Sequence, residues 1–195
     1  MIEQKDVIRF FDLCAPSWDA NMVRSDEKIG TILDNAGVKS GSCVLDVACG
    51  TGVLMPDYIQ RGVASVTGID ISPEMIKIAS KKFRQDNVRF LCGDVLTENI
   101  GGAYDAIVIY NAFPHFPDPE RLIARLAAAL APGGILTVAH GAGRKWIDVH
   151  HSGAASKVSI GLMPAEELAA LFDQNGLSVT TLLSTDDIYQ VAGRK

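Results

Sequence analysis

The stretch VLDVACGTGVL, Val44 to Leu54, carries the most specific chemistry in this chain. An apolar run delivers Asp46 near its carboxyl end, and Gly50 and Gly52 then turn the backbone into a predicted helix. Such glycines permit positive φ and a close approach of ligand to main chain, and the amides of the following helix bind anionic groups. Asp70 ends the next apolar run, where a carboxylate takes ribose hydroxyls. Two ligand classes fit: a dinucleotide, or a nucleoside that carries an amino-acid tail.

The glycine spacing argues against a dinucleotide. In the pattern G-x-G-x-x-G, Gly50 and Gly52 fill the first two places, but Met55 stands in the third. Close packing of helix on strand favours a small residue at that third place. Asp70 suits both ligand classes and does not decide between them.

All four histidines of the chain fall in loops that are predicted to follow the fourth and fifth strands. His115 stands in NAFPHF, His140 in VAHGAGR, and His150 and His151 in WIDVHH. Three interpretations remain open. A neutral imidazole takes a proton from an oxygen, nitrogen or sulfur acceptor; two or three imidazoles bind a divalent metal together with Asp148; or the rings only form hydrogen bonds at the mouth of a cleft. Consecutive histidines point different ways on a helix, and we favour His150 as the one that enters the cleft.

Short apolar runs alternate with helical patterns beyond residue 43, which predicts parallel strands covered on both faces and joined by right-handed crossovers. The predicted strands are residues 43–48, 65–70, 88–92, 104–110 and 134–140. Helices are predicted to begin at Ser72 and to span about 118–130 and 164–175. The first forty residues predict two more helices, about 3–14 and 25–36, which lie over the edge or mouth of the sheet.

The end of the chain departs from this alternation. Two apolar stretches, 177–184 and 187–193, are separated only by Thr185 and Asp186. That connection is too short for a crossover helix, so the last two strands are predicted to pair antiparallel. A dinucleotide-binding fold does not ordinarily finish in this way. The ending therefore favours the nucleoside with an amino-acid tail.

The motifs VLDVACGTG, GIDIS, CGD, YDAIVIYNAF and LAPGGILTVAH resemble, in order and spacing, the class I S-adenosylmethionine-dependent methyltransferases. The resemblance covers about residues 40–193. It implies an α/β, Rossmann-like sheet of seven strands in the order 3-2-1-4-5-7-6, with strand 7 antiparallel and helices on both faces. It also implies S-adenosylmethionine as cofactor and S-adenosylhomocysteine as product. We expect one methyltransferase domain over residues 1–195, with 1–40 as an N-terminal helical lid and 41–195 as the cofactor-binding core.

The resemblance implies which residues bind the cofactor. Asp70 would bind both ribose hydroxyls, Asp94 would accept from the adenine amino group, and Asn111 would lie beside the donor methyl. The segment FFDLCAPSWD resembles the lid of the quinone-biosynthesis methyltransferases, and packing of an amphipathic helix is its alternative explanation. The full set implied by the resemblance is Asp46, Ala48, Cys49, Gly50, Gly52, Asp70, Ile71, Asp94, Val95, Asn111 and, in the lid, Trp18.

Composition excludes several classes of partner. The chain has 195 residues, a formal net charge of −5, 48% hydrophobic residues and 21% charged ones. Nucleic acids are held by clustered lysine and arginine, and a membrane span needs a longer apolar run than any in this chain. We therefore expect a cytoplasmic protein with a small-molecule substrate and without a nucleic-acid or membrane partner. The oligomeric state stays open.

The sequence thus predicts methyl transfer from S-adenosylmethionine to a small molecule by in-line displacement. His115, His140 and His150 are the candidate catalytic residues. No metal ligand is assigned, although a divalent metal stays open. The alternatives are a module that binds S-adenosylmethionine or S-adenosylhomocysteine without chemistry, and an NAD-linked oxidoreductase.

Overall fold

Seven strands form one sheet within the residues that the computed structural model describes, which are 2–151 and 154–195, without the side chains of 150, 151, 154 and 155. The strand order is β3-β2-β1-β4-β5-β7-β6, and β7 runs antiparallel to both of its neighbours while the other pairs are parallel. This confirms the predicted topology. The strands are β1 Cys43–Val47, β2 Ser65–Asp70, β3 Val88–Cys92, β4 Tyr104–Tyr110, β5 Leu130–His140, β6 Ser178–Ser184 and β7 Tyr189–Arg194.

Side-chain caps begin several of the helices that connect these strands. Ser72 accepts from the backbone N–H of Met75, and Asp118 accepts from that of Arg121, as expected for residues that precede a first turn. The helices are α1 Gln4–Asn21, α2 Asp26–Asn35, α3 Met55–Gln60, α4 Pro73–Lys82, α5 Pro119–Ala129, α6 Arg144–His151 and α7 Ala165–Gln174, with 3-10 turns at Phe113–His115 and Ala154–Lys157.

The sheet is covered on both faces, because successive residues of a strand point to opposite sides. Leu45 packs into one core cluster with Leu126 of α5 and Phe172 of α7. Val44, one residue earlier, packs into a second cluster with Leu33 of α2. The two clusters hold the sheet between layers of helices, and the carboxyl ends of β1, β2, β3 and β4 lie together at one edge of it.

Two elements extend by several residues beyond their predicted bounds. Helix α1 continues to Asn21 rather than ending near residue 14, and it runs through Pro16. Strand β5 begins at Leu130 rather than at residue 134, because the backbone of Gly133 and Gly134 exchanges hydrogen bonds with Lys195. At both places, tertiary contacts therefore outweigh the local tendency of proline or glycine to end a helix or strand.

None of the described helices combines the length and the apolar character that crossing a bilayer requires.

Candidate functional site

A cavity of about 350 Å³ opens at the carboxyl ends of the strands. It lies where the strand order reverses between β1 and β4, the usual ligand position in open α/β sheets, and its volume is that of a small-molecule site. Eleven residues that sequence reasoning selected line it: Trp18, Asp46, Ala48, Cys49, Gly50, Asp70, Ile71, Asp94, Val95, Asn111 and His115.

The turn after β1 brings main chain to this cavity. Ala48 and Gly50 both have φ of 55° and line the cavity. Gly52, with φ of 87°, does not line it. A Cβ at Gly52 would lie 2.7 Å from Cε2 of Phe83, so this glycine is needed for packing of the turn against the end of α4. Gly50 and Gly52 thus serve different purposes that the sequence pattern did not separate.

Asp70 at the end of β2 is held by two backbone amides. Its Oδ2 accepts from the N–H of Gly50 at 2.8 Å, and its Oδ1 accepts from that of Ser72 at 2.9 Å. Burial raises the pKa of Asp70, although the bonds from Ser72 and Gly50 oppose that rise. Each carboxyl oxygen keeps a further lone pair, so this group can accept from two neighbouring hydroxyls.

Asp46 in β1 is the least satisfied polar group at the cavity. Its side chain is 2% exposed, and its Oδ2 has no hydrogen-bond partner among the described residues. Burial raises its pKa well above the ordinary value, and the negative charges of Asp70 and Asp57 add to that effect. A buried carboxyl of this kind calls for a cationic or hydrogen-bonding ligand group.

Asp94 follows β3 and lines the same cavity as Asp46 and Asp70. Its Oδ1 accepts from the backbone N–H of Leu96 at 2.8 Å, and its Oδ2 accepts from Nε2 of Gln4 at 3.0 Å. Through Gln4, helix α1 therefore reaches the part of the cavity that Asp94 lines. Three carboxyl groups from three consecutive strands converge on one space.

The end of β4 supplies Tyr110 and Asn111. Asn111 has φ of 55°, and its Oδ1 accepts from the N–H of Gly141 at 3.0 Å. This bond ties the carboxyl ends of β4 and β5 together. A Cβ at Gly141 would lie 2.7 Å from the hydroxyl oxygen of Tyr110, so the glycine leaves the space that this hydroxyl occupies.

The predicted histidines are placed differently from one another. His115 lines the cavity, its ring 5.0 Å from that of Phe11, and its Nδ1 lies 2.7 Å from the carbonyl oxygen of Val158. Because a carbonyl only accepts, Nδ1 carries a proton, and a neutral ring then holds its lone pair on Nε2.

His140 does not line the cavity. Its side chain is 2% exposed at the end of β5 and packs against the ring of Tyr189. It therefore lies in the buried core beside the sheet. His150 belongs to α6, but its side chain lies outside the described residues. Among the described residues, no group of three or more His, Cys, Asp or Glu could hold a metal ion.

Sequence reasoning selected Trp18 and interpreted the segment around Phe11 as a lid, but it missed other residues of helix α1 and the turn after it. Gln4 and Val7 line the cavity beside Phe11 and Trp18, and the seven-residue spacing of Gln4, Phe11 and Trp18 was the available signal. Arg24 also lines it, with Nη1 donating to the carbonyl of Val53 and Nη2 to both carboxyl oxygens of Asp57, each at 2.7 Å. No local pattern marked Arg24.

Residues 44–134 match the family model described as a methyltransferase domain. The malonyl-[acyl-carrier protein] O-methyltransferase of Acetivibrio thermocellus is 32% identical over 139 residues, which are 70% of this chain and 49% of that protein. The ubiquinone biosynthesis O-methyltransferase of Bordetella bronchiseptica is 32% identical over 143 residues, 68% of this chain and 59% of that protein. The chain thus spans about half to three fifths of these relatives.

Solved structures share the fold at lower sequence identity. An S-adenosylmethionine-dependent methyltransferase from Aquifex aeolicus has a TM-score of 0.70 at 17% identity, covering 100% of this chain and 99% of that one. The [4+2]-cyclase SpnF has a TM-score of 0.75 at 22% identity, covering 91% of this chain and 74% of that one. At these identities the likeness concerns the fold alone.

Proposed function

Because this chain belongs to the S-adenosylmethionine-dependent methyltransferases, we propose that it methylates a small-molecule acceptor by in-line displacement. The observation that carries the proposal is the convergence of Asp46, Asp70 and Asp94 on one cavity of about 350 Å³. Each of these carboxyls has the chemistry that a different part of the cofactor needs.

The residues present fit the cofactor. Asp70, with both oxygens fixed by backbone amides, would accept from the two ribose hydroxyls. Asp94 would accept from the adenine amino group, and Ile71 and Val95 would pack against the ring. The Oδ2 of Asp46, for which the described part of the chain offers no hydrogen-bond partner, would accept from the ammonium of the methionine part.

The charge of the cavity also fits. Three carboxyls line it, and Arg24, which lines it too, is already paired with Asp57. In a space that excludes water, a negative wall stabilises a cationic ligand more strongly than it would in solvent. When bound, the cofactor supplies a methyl group activated by its positively charged sulfur.

The chain's own contribution to the reaction is alignment and proton removal. Phe11, Trp18 and Tyr110 give the cavity aromatic walls that exclude water and stack on a flat acceptor. His115, whose Nδ1–H donates to the carbonyl oxygen of Val158, presents Nε2 as the base for an acidic hydroxyl. We therefore extend the proposal to an oxygen acceptor, in keeping with the O-methyltransferase names of the two relatives.

A second function has one observation in its favour. The fold is also that of the [4+2]-cyclase SpnF, so the same architecture occurs in a protein that is named for another reaction. A chain that binds the cofactor without transferring its methyl group would show binding and no methylated product. Family membership gives no support to the NAD-linked alternative.

Calorimetry and a transfer assay test the proposal together. We expect S-adenosylmethionine and S-adenosylhomocysteine to bind and NAD⁺ not to bind. With methyl-labelled cofactor and a pool of small phenols and carboxylic acids, label should pass to an acceptor. Binding without transfer to any acceptor pool would favour the second function, and tight binding of NAD⁺ alone would refute the proposal.

Asp70→Ala tests the assignment of the ribose. The variant should weaken binding of S-adenosylhomocysteine by about 1–3 kcal/mol, the usual effect of leaving hydrogen-bonding groups without a partner. Asp70→Asn keeps one side-chain oxygen that accepts hydrogen bonds, so its loss of binding free energy should be smaller. Unchanged affinity in Asp70→Ala, measured by calorimetry, would remove Asp70 from the cofactor site.

A further inference from the structure

Helix α1 presents two stripes of side chains to the rest of the protein. Gln4, Phe11 and Trp18 recur every seven residues and line the cavity. Asp12 and Asp19 follow Phe11 and Trp18 by one residue, so they lie together on the neighbouring stripe of the helix. These two acids, which we call the lid carboxylates, contact residues next to the cofactor site.

Asp12 binds the loop that follows β2. Its Oδ1 accepts from the hydroxyl of Ser72 at 2.6 Å and from the backbone N–H of Glu74 at 3.3 Å. Ser72 is fully buried, and its own backbone N–H is one of the two amides that hold Asp70. A single residue thus connects Asp12 to one oxygen of the Asp70 carboxyl.

Asp19 makes the corresponding contact with the glycine turn. It accepts from the hydroxyl of Thr51 through Oδ1 and from Nζ of Lys82 at 2.7 Å through Oδ2. Thr51 is fully buried and directly follows Gly50, whose N–H holds the other oxygen of Asp70. Both oxygens of the Asp70 carboxyl are therefore connected to α1 through a short run of one or two residues.

We propose that Asp12 and Asp19 are positioning residues that couple closure of α1 to the carboxyl that holds the ribose, and that their release sets the rate at which S-adenosylhomocysteine leaves. This inference rests on the proposed function, because it requires the cavity to be the cofactor site. The geometry gives the reason: α1 covers the cavity with Phe11 and Trp18, and a ligand held by Asp70 leaves only when α1 separates from Ser72 and Thr51. Release of product through an opening cover is a common limit on turnover.

The coupling acts in both directions. A ligand that orders Asp70 also orders Gly50 and Ser72, and so fixes the two hydroxyls to which the lid carboxylates bind. Closed α1 in turn keeps the amides of Gly50 and Ser72 aimed at Asp70. Binding of the cofactor and closure of the helix should therefore support one another.

The test compares dissociation rates of S-adenosylhomocysteine from immobilised protein by surface plasmon resonance. Asp12→Ala and Asp19→Ala should each release it faster, and the double variant at least about tenfold faster than the unmodified protein. Asp12→Asn keeps an oxygen that accepts from Ser72, so it should restore most of the slow release. Asp6→Ala removes an exposed acid from the first turn of the same helix and should leave the rate unchanged.

Each outcome decides a separate point. If the unmodified protein binds S-adenosylhomocysteine and the folded double variant releases it as slowly as Asp6→Ala does, the role of the lid carboxylates is refuted. If Asp12→Asn released S-adenosylhomocysteine as fast as Asp12→Ala does, the hydrogen bond to Ser72 would be refuted as the cause of slow release. If the unmodified protein binds no S-adenosylhomocysteine, the proposed function fails and this inference fails with it. Thermal unfolding of every variant confirms that the rates belong to folded protein.

Discussion

Asp46 shows how a single residue can favour ligand binding at the expense of the ligand-free fold. Its carboxyl is almost completely buried, has an unpartnered oxygen among the described residues and lies near the negative charges of Asp70 and Asp57. Ionising such a group inside the protein is unfavourable, and a cationic ligand would remove that penalty. Residues that bind ligands commonly carry this kind of cost in stability.

We predict that Asp46→Asn raises the free energy of unfolding of the ligand-free protein by about 1 kcal/mol at pH 7. Because folding raises the pKa of Asp46 above its ordinary value of 3.8, the protonated carboxyl favours the folded state most below that pH. This contribution to the free energy of unfolding is lost as pH rises through the raised pKa. The advantage of the variant should therefore grow with increasing pH. Urea unfolding at several pH values measures it.

Asp86→Asn is the matched control for Asp46→Asn, because it makes the same change at an exposed acid. The control should leave the free energy of unfolding within about 0.5 kcal/mol of the original, as is usual at the surface. If the gain in free energy of unfolding caused by Asp46→Asn were independent of pH, or shrank as pH rises, the raised pKa assigned to Asp46 would be contradicted.

The two described histidine side chains allow a second prediction at this scale. His115→Ala should lower kcat about a hundredfold or more, the usual contribution of a positioned base, while affinity for S-adenosylhomocysteine changes little. His140→Ala should instead lower stability by about 2–4 kcal/mol, because it leaves a cavity in the core. Steady-state kinetics with a responsive acceptor and urea unfolding separate the two effects.

An opposite pattern would be informative. If His115→Ala kept full turnover, proton removal at His115 would be refuted. If His140→Ala lowered kcat in a protein of unchanged stability, the purely structural role of His140 would be refuted. The sequence placed both histidines after neighbouring strands, but it could not show which ring reaches the cavity. That direction depends on which face of β5 is buried against Tyr189.

At the scale of elements, the turn after β1 and the end of α4 form one packed unit. Gly52 combines φ of 87° with a site where a Cβ would lie 2.7 Å from Phe83. We predict that Gly52→Ala destabilises the protein by about 2–4 kcal/mol, the sum of left-handed strain and overpacking. Thermal or urea unfolding measures this loss.

Two variants separate these contributions. Gly176 has φ of 75° and open space where a Cβ would stand, so Gly176→Ala measures backbone strain without the clash. Phe83→Leu combined with Gly52→Ala should recover part of the loss, because the shorter side chain leaves room. Equal effects of Gly52→Ala and Gly176→Ala would show that Phe83 contributes nothing.

The elements that sequence patterns predicted best were the buried strands, because their apolar runs and boundaries are local. The antiparallel final pair was also predictable, since its short connection permits no crossover. The length of α1 was not, because the helix continues past Pro16 on the strength of contacts that Trp18 makes with Phe11 and that Asp19 makes with distant Thr51. Arg24 was missed for a similar reason: its partners Val53 and Asp57 are distant in sequence.

At the scale of the whole molecule, the proposed cofactor site lies between the sheet and α1, so a bound ligand should stabilise the entire fold. At a concentration one hundred times its dissociation constant, a ligand adds about 2.7 kcal/mol to the free energy of unfolding. For a domain of this size that corresponds to a rise of about 5–10 °C in Tm. We predict such a rise with S-adenosylhomocysteine, measured by differential scanning calorimetry.

NAD⁺ at the same concentration is the control and should leave Tm unchanged. The rise should be reduced in Asp70→Ala, because that variant removes a contact with the ligand but keeps the two core clusters. A Tm that responds to neither S-adenosylmethionine nor S-adenosylhomocysteine would contradict the proposed site.

The partners of α1 have a consequence for the order in which this protein assembles. Thr51, Ser72 and Asp94 lie 32, 60 and 90 residues beyond the α1 residues that they contact. During synthesis, therefore, the helix is made well before the residues on which it rests, and it can complete these contacts only once β1, β2 and β3 have also been made. Amide hydrogen exchange should accordingly find α1 opening on its own, with the neighbouring sheet still intact.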